Sequence, residues 1–441
     1  MHSRSDRWNE IRDGIGLGAL LVFAFFAWLG TGVAHAALLL MIVLMVTDYR
    51  AAWPLLCRDP VTRTFLLFLG YLLICASRAA QQWPETAHAQ WAAVWPWISL
   101  WLFIPLAWWL KGRWNRIGAI MVLAPLGLMG GIFRRSDWSG LPQWLAGERY
   151  EFGYTALGIS LLSLVIVIGL LAFLPRLVSL AQGLSARLSI ALTCFVVLSF
   201  FLFILMVAQS RGAWFSLIVA LLLLAGFAGL QRRGTISRRA LPAVVFVPAL
   251  TAAAIVVIAA ATRFGGPIME RLRSEEEVIP NVLTLDEAQV PYSPWGARIH
   301  LALWGLRLFA RHPWLGFGPG ADAPGHLLKL EFGPQQSGFL TVIEHFSHLH
   351  NAYLEILMRF GLPGGMLFAA GFFFVVRGII TNRKCGMLPA DFCTFGWVVL
   401  LTILVFGCYE FRLLHTDFRF LTMLLGGIFY THTLNRRPDE N

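Results

Sequence analysis

At 441 residues, 58% hydrophobic and 13% charged, the chain is far more apolar than a soluble domain, which is roughly 45–50% apolar and about 25% charged. With a mean hydropathy of +0.68, this excludes a soluble enzyme, a secreted disulfide scaffold, a disordered chain and a collagen-like fibre. The net charge of +11 rests on 35 basic residues, of which only Lys111, Lys329 and Lys384 are lysines, and no basic stretch lies within a long soluble segment, so nucleic acid is not an expected partner.

The N-terminus carries Arg4, Arg7 and Arg12 before an apolar run from Ile15 to Gly30. Ala34-His35-Ala36 mimics a signal-peptide cleavage site, but a second apolar run starts there at once, so a pair of membrane helices is the better reading. Apolar runs near 20 residues are long enough to cross roughly 30 Å of hydrocarbon. They lie near 14–30, 33–47, 62–79, 91–110, 117–133, 154–174, 188–208, 213–230, 241–262, 363–380, 393–410 and 417–434. Backbone amides in lipid must be satisfied internally, which makes each a helix. The expected fold is all-α: a polytopic membrane protein of about 12 transmembrane helices with one large periplasmic loop containing helices.

Orientation follows from the basic residues in short loops. With the N-terminus in the cytoplasm, the inner segments hold clusters such as Arg50, Arg58 and Arg63, or Lys111, Arg113 and Arg116, or Arg232, Arg233, Arg238 and Arg239. The short outer segments hold only Arg78, Arg134, Arg135, Arg149, Arg211, Arg412 and Arg419. Both termini are therefore expected to be cytoplasmic. The chain divides into helices 1–9 over 1–262, an outer loop over 263–351 and helices 10–12 over 352–441. Within the loop, Ile299, Leu303, Leu306 and Phe309 recur at helical spacing, which predicts an amphipathic helix over 297–311, followed by a turn at Gly316, Gly318 and Gly320. The six cysteines lie mostly in or beside apolar runs, and none is in the loop, so neither a disulfide staple nor a thiolate metal site is expected there.

Ionisable groups at or inside a bilayer are costly, so three places stand out. The first is Gln209-Ser210-Arg211-Gly212 between helices seven and eight. Ser210 can cap the following helix, and Arg211 sits at its N-terminus, where anions are favoured; a snorkelling arginine is the alternative. The second is Arg298 on the amphipathic helix, which alone could be a lipid-headgroup contact. The third is His348-Leu349-His350-Asn351, followed by Gly361, Gly364 and Gly365, where the loop re-enters the membrane. His348 and His350 with Glu344 offer metal-ligand chemistry, but an i,i+2 spacing on a helix points two rings apart, which argues against it. A histidine that merely caps the helix is a further alternative.

Taken in order, these features resemble the O-antigen ligase/polymerase superfamily of bacterial membrane glycosyltransferases. The resemblance rests on Ser210-Arg211-Gly212, on Arg298 through Trp304 to His312-Pro313-Trp314-Leu315-Gly316-Phe317-Gly318, and on His350-Asn351 with Gly361 and Gly364. The His-Asn-x9-Gly-x-x-Gly pattern looks more like the ligases than the polymerases. The resemblance implies a GT-C-like architecture in a bacterial inner membrane, with an active site facing the periplasm. It implies transfer of an O-antigen polysaccharide from undecaprenyl pyrophosphate to a sugar hydroxyl of lipid A–core, without ATP, metal or cofactor. His350 would be catalytic, and Arg211 and Arg298 would bind the diphosphate of the sugar donor. His348, Asn351, Ser210 and Trp304 are the candidate supporting residues; core and lipid-facing packing is the default for the tryptophans and phenylalanines, with Trp304 and Trp314 as the candidates for sugar stacking.

That chemistry is self-consistent. A diphosphate leaves without a general acid but needs its growing charge compensated, and two arginines can do this in place of a divalent cation. A neutral histidine is a suitable base for the attacking hydroxyl. Glycosidase chemistry would want two carboxylates flanking the bond, and no convincing pair is evident. The alternatives are an O-antigen polymerase or a protein O-oligosaccharyltransferase of the same superfamily, and, from another class, a lipid-linked sugar flippase. A transporter would place charge at the midplane of two related halves; here the polar residues gather at one side.

Overall fold

The computed structural model describes residues 4–232, 273, 290, 293–320 and 348–436. Every described element is helical: α1 (Arg4–Leu29), α2 (Thr31–Thr47), α3 (Tyr49–Leu56), α4 (Pro60–Gln82), α5 (Ala87–Ser99), α6 (Phe103–Leu110), α7 (Trp114–Arg135), α8 (Leu141–Leu145), α9 (Ala156–Leu180), α10 (Leu184–Val207), α11 (Arg211–Arg232), α12 (Pro294–Arg311), α13 (Ala352–Lys384), α14 (Ala390–Gly407) and α15 (Thr416–Leu434). Apart from α3, α8 and the amphipathic α12, they overlap the predicted apolar runs; the run 91–110 is divided between α5 and α6, and 241–262 lies outside the described residues. Among the described residues, eight helical segments are long and apolar enough to cross a membrane, Pro84–Leu110 counting as one. The count rises to nine if the pair α2 and α3, bent by 92°, is one broken span rather than a re-entrant loop.

The chain forms two compact units. The first comprises Met1–Arg134, Glu287–Met387 and Gly407–Asn441. Its helices close on large aromatic side chains: Phe68 and Trp97 both meet Phe360 and Phe368 edge-on. Buried indole N–H groups find backbone carbonyls, Trp109 donating to Met41 (3.0 Å) and Trp97 to Pro319 (3.2 Å). Small residues permit close helix approach; a Cβ at Gly127 would lie 1.8 Å from the Phe25 carbonyl oxygen. A half-buried ion pair joins α7 to α1, with Arg116 2.6 Å from Asp13.

The helix that positions the site is α13. It is broken at Gly361, whose φ of 63° and ψ of −168° are non-helical, and Pro363 follows. Such a break frees backbone groups, which must find partners away from water. The segment from Pro313 to Gly318 supplies them. Phe317 N donates to Met358 O (2.9 Å), Gly318 N donates to Arg359 O (2.9 Å), and Leu362 N donates to Pro313 O (2.7 Å). The Tyr71 hydroxyl lies 2.5 Å from the carbonyl oxygens of both Trp314 and Phe360. The predicted turn at Gly316 and Gly318 is present, with φ of 60° and 88°, and it is seated on the interrupted helix.

The second unit comprises Arg135–Asp286 and Leu388–Phe406. In it α9 packs on α10 and α11, and Phe173 of α9 meets Phe392 and Phe395 of α14. Trp144, Tyr150 and Phe152 form an aromatic cluster.

Candidate active site

The sequence-predicted residues fall in both units. In the first, α12 forms as its apolar periodicity predicts, capped by Ser293, whose Oγ accepts from Gly296 N (3.2 Å). Arg298 lies one turn in. Its Nε donates to Tyr409 O (3.3 Å) and its Nη1 to Pro294 O (2.7 Å), so two carbonyls hold the plane of the guanidinium.

His348 and His350 are not on a helix. Helix α13 starts only at Ala352, and its cap is Asn351, whose Oδ1 accepts from Tyr353 N and Leu354 N at 3.0 Å each. His350 just before it adopts a left-handed backbone, φ 49°. This corrects the expectation drawn from i,i+2 spacing. The positive φ turns the chain so that the two rings meet, with centroids 4.2 Å apart. The Asn351 Nδ2 donates to Cys408 O (2.9 Å), so this side chain builds the loop rather than reaching outward.

The partner of both imidazoles is Glu410, 2% exposed. Its Oε2 lies 3.0 Å from His350 Nδ1, and its Oε1 lies 3.7 Å from His348 Nε2. A carboxylate only accepts, so Nδ1 of His350 carries the bonded proton and Nε2 is left as the basic nitrogen. The neighbouring ring has the opposite arrangement: the His350 backbone N–H donates to Nδ1 of His348 (3.2 Å), which requires a lone pair there. Burial, reinforced by the adjacent His350 ring, pushes His348 down to about 3, and Glu410's pull the other way does not offset it. Burial by itself would raise Glu410. The hydrogen bond from His350, with the charge of Arg298 adding to it, outweighs burial and holds this carboxyl below its ordinary range.

The stretch Cys408 to Phe411 is thus the hub of the site. Cys408 O takes Asn351, Tyr409 O takes Arg298, Glu410 takes the two histidines, and Phe411 lies against the His348 ring, 5.6 Å between centroids. Sequence reasoning missed this stretch. An acidic residue directly after an apolar run was the available signal. His348, His350 and Glu410 also place three ligand atoms within 4.8 Å of one another, a set with the donor chemistry to hold a divalent cation. Glu344, considered above as a companion ligand, lies outside the described residues.

Trp304 requires a correction. It is 2% exposed, packed within the first unit, and presents no face on which a sugar could stack. Trp314, 67% exposed, does.

In the second unit, Ser210 is buried and its Oγ accepts from Ala213 N (3.4 Å), capping α11 as expected. Arg211 is the first residue of that helix. The turn before it is fixed by Gln209, at φ 49°, whose Nε2 donates to Gly147 O (2.6 Å), and by Tyr150 N donating to Val207 O (3.3 Å).

No curated protein matches the chain. Residues 194–369 match the family model described as O-Antigen ligase. That stretch, less than half of the chain, contains Ser210, Arg211, Arg298, His348, His350 and the broken part of α13, and it is similar to the O-antigen ligase family.

Proposed function

We propose that the protein is an O-antigen ligase, transferring the polysaccharide from undecaprenyl pyrophosphate to a sugar hydroxyl of lipid A–core. It works from the periplasmic face of an inner membrane, with both termini in the cytoplasm and about twelve spans in all. The observation that carries this reading is the His350–Glu410 contact beside Arg298. Nε2 of a neutral His350 takes the proton of the acceptor hydroxyl as its oxygen attacks the anomeric carbon. The bond from that carbon to the diphosphate oxygen breaks, the configuration inverts and undecaprenyl pyrophosphate departs. Glu410 orients the ring and stabilises the imidazolium that forms, a part carboxylates play beside histidine bases on other folds. Arg298 meets the charge developing on the leaving group, and Arg211 is proposed as a diphosphate-binding residue.

Neither nearby carboxylate is disposed for glycosidase chemistry: Glu410 faces the imidazoles, and the fully buried Glu355 is paired with Arg359. Both substrates are amphiphiles, which suits a site at the outer edge of apolar helices. The test is reconstitution in detergent with lipid-linked glycan and purified lipid A–core, with chelator and without nucleotide. Ligated product supports the reading. Extension of the lipid-linked glycan alone would favour a polymerase, and no product in either form would remove it.

A further inference from the structure

The first unit contains an ion pair that the proposed chemistry does not use. Glu355 is 0% exposed and Arg359 3%. They stand one turn apart on the first half of α13, with Arg359 Nε donating to Glu355 Oε1 at 2.8 Å and Nη2 at 2.6 Å. A buried pair gains little over apolar side chains of equal volume, because desolvation offsets the attraction. Its retention in an apolar helix calls for another reason, and the remaining bonds supply one.

The second oxygen of Glu355 accepts the backbone N–H of Leu349 (2.8 Å), the residue between the two histidines. The Leu349 side chain is fully buried, and its seat exists because Gly305 of α12 lacks a Cβ; one added there would lie 2.5 Å from Leu349 Cδ1. Arg359 reaches the other way, its Nη1 donating to Pro319 O (2.5 Å) and its guanidinium carbon lying 5.6 Å from the Phe411 ring centre. The pair therefore ties together the histidine loop, the turn seated on the broken helix and the hub residue next to Glu410. His350 holds its left-handed backbone inside this frame, a conformation that is unfavourable for a non-glycine residue and persists only when the surroundings fix it.

We infer that Glu355 and Arg359 are positioning residues: they clamp Leu349 so that His350 presents Nε2 to the acceptor hydroxyl. The inference rests on His350 being the base. The test compares wild type, Glu355→Gln, the paired variant Glu355→Leu/Arg359→Met and His350→Ala in the reconstituted ligation assay. Thermal stability and hydrogen–deuterium exchange at the Leu349 amide are followed alongside. The paired variant is expected to keep its melting temperature, exchange the Leu349 amide faster and lose kcat by about 10- to 100-fold, with KM for the lipid-linked glycan unchanged. Glu355→Gln, which keeps the shape, is expected to fall between this variant and wild type. Unchanged kcat or unchanged Leu349 exchange in the paired variant would overturn the clamp. So would parallel loss of kcat and melting temperature in both variants, which marks plain structural support. Normal ligation by His350→Ala would instead remove the base assignment, while the exchange measurement still judges the clamp by itself.

Discussion

His350 Nδ1 and Glu410 Oε2 lie 3.0 Å apart although 60 positions separate them in the chain. The contact ties the loop before α13 to the segment before α15 and decides which imidazole nitrogen is left for chemistry. Replacing His350 with alanine should abolish transfer while binding of lipid-linked glycan survives, a loss on the order of 100- to 10,000-fold. Glu410→Gln, which keeps the shape but removes the charge, should lower turnover on the order of 100-fold without unfolding the protein. Single-turnover kinetics with a separate binding measurement would check both; full activity in the alanine variant removes His350 as the base.

Arg298→Lys and Arg211→Lys should each impair transfer, because a point charge cannot reproduce a planar fork on a diphosphate. In Arg298→Lys the ammonium also lacks the geometry to hold Tyr409 O and Pro294 O together. Wild-type rates in the lysine variants would mean that both arginines merely serve the membrane interface.

Zinc ions should inhibit. His348, His350 and Glu410 are gathered closely enough to share one cation, and a metal-bound imidazole cannot accept a proton. Chelator alone is expected to leave the rate unchanged, and His348→Ala should raise the zinc concentration needed for half inhibition. Loss of activity on chelation would instead make this trio a working metal site.

Acid should loosen the site. His348 stays neutral in the folded protein down to about pH 3, whereas an unfolded histidine takes up its proton near 6.5. The unfolded chain therefore binds more protons across that window, so stability rises with pH within it. His348 contributes fully above about pH 6.5 and progressively less as pH falls toward 3. His415 is lowered too, by burial and then by Arg412, and adds in the same sense. Melting temperature followed against pH, with His348→Gln as the comparison, should show a shallower acid slope in the variant.

Gly316→Ala should destabilise the protein by at least about 2 kcal/mol, since an alanine in left-handed backbone costs about 1–2 kcal/mol before any clash. Here the added Cβ would also lie 2.4 Å from the Arg359 carbonyl group. Thermal unfolding in detergent is the measurement; an unchanged midpoint would show that the turn can leave the helix break without cost.

The helices were legible because a lipid environment demands long apolar runs, and α12 because its apolar residues keep a helical period. Ser210 was legible as a cap from its hydroxyl and its place before an apolar run. Less was legible where geometry departs from the repeating pattern. Nothing in the residue types states that His350 takes a positive φ, so reasoning from helical spacing drove its ring away from His348. Glu410 was hidden by distance along the chain. Glu355 and Arg359 did show a one-turn spacing, but a helix-surface pair and a buried clamp are written the same way in sequence. Trp304 was misread because an indole that fills a core and one that stacks on a sugar are the same residue until burial is known.

Cys408 passes its carbonyl to Asn351 and carries an exposed thiol at the margin of the site. The protein thus brings its own attachment point for a fluorophore or photo-crosslinker within one residue of Tyr409 and two of Glu410. With the other exposed thiols, Cys57 and Cys385, replaced by serine, arrival of each amphiphile could be timed there, and a bulky maleimide at the same atom would show how much room the incoming chain requires.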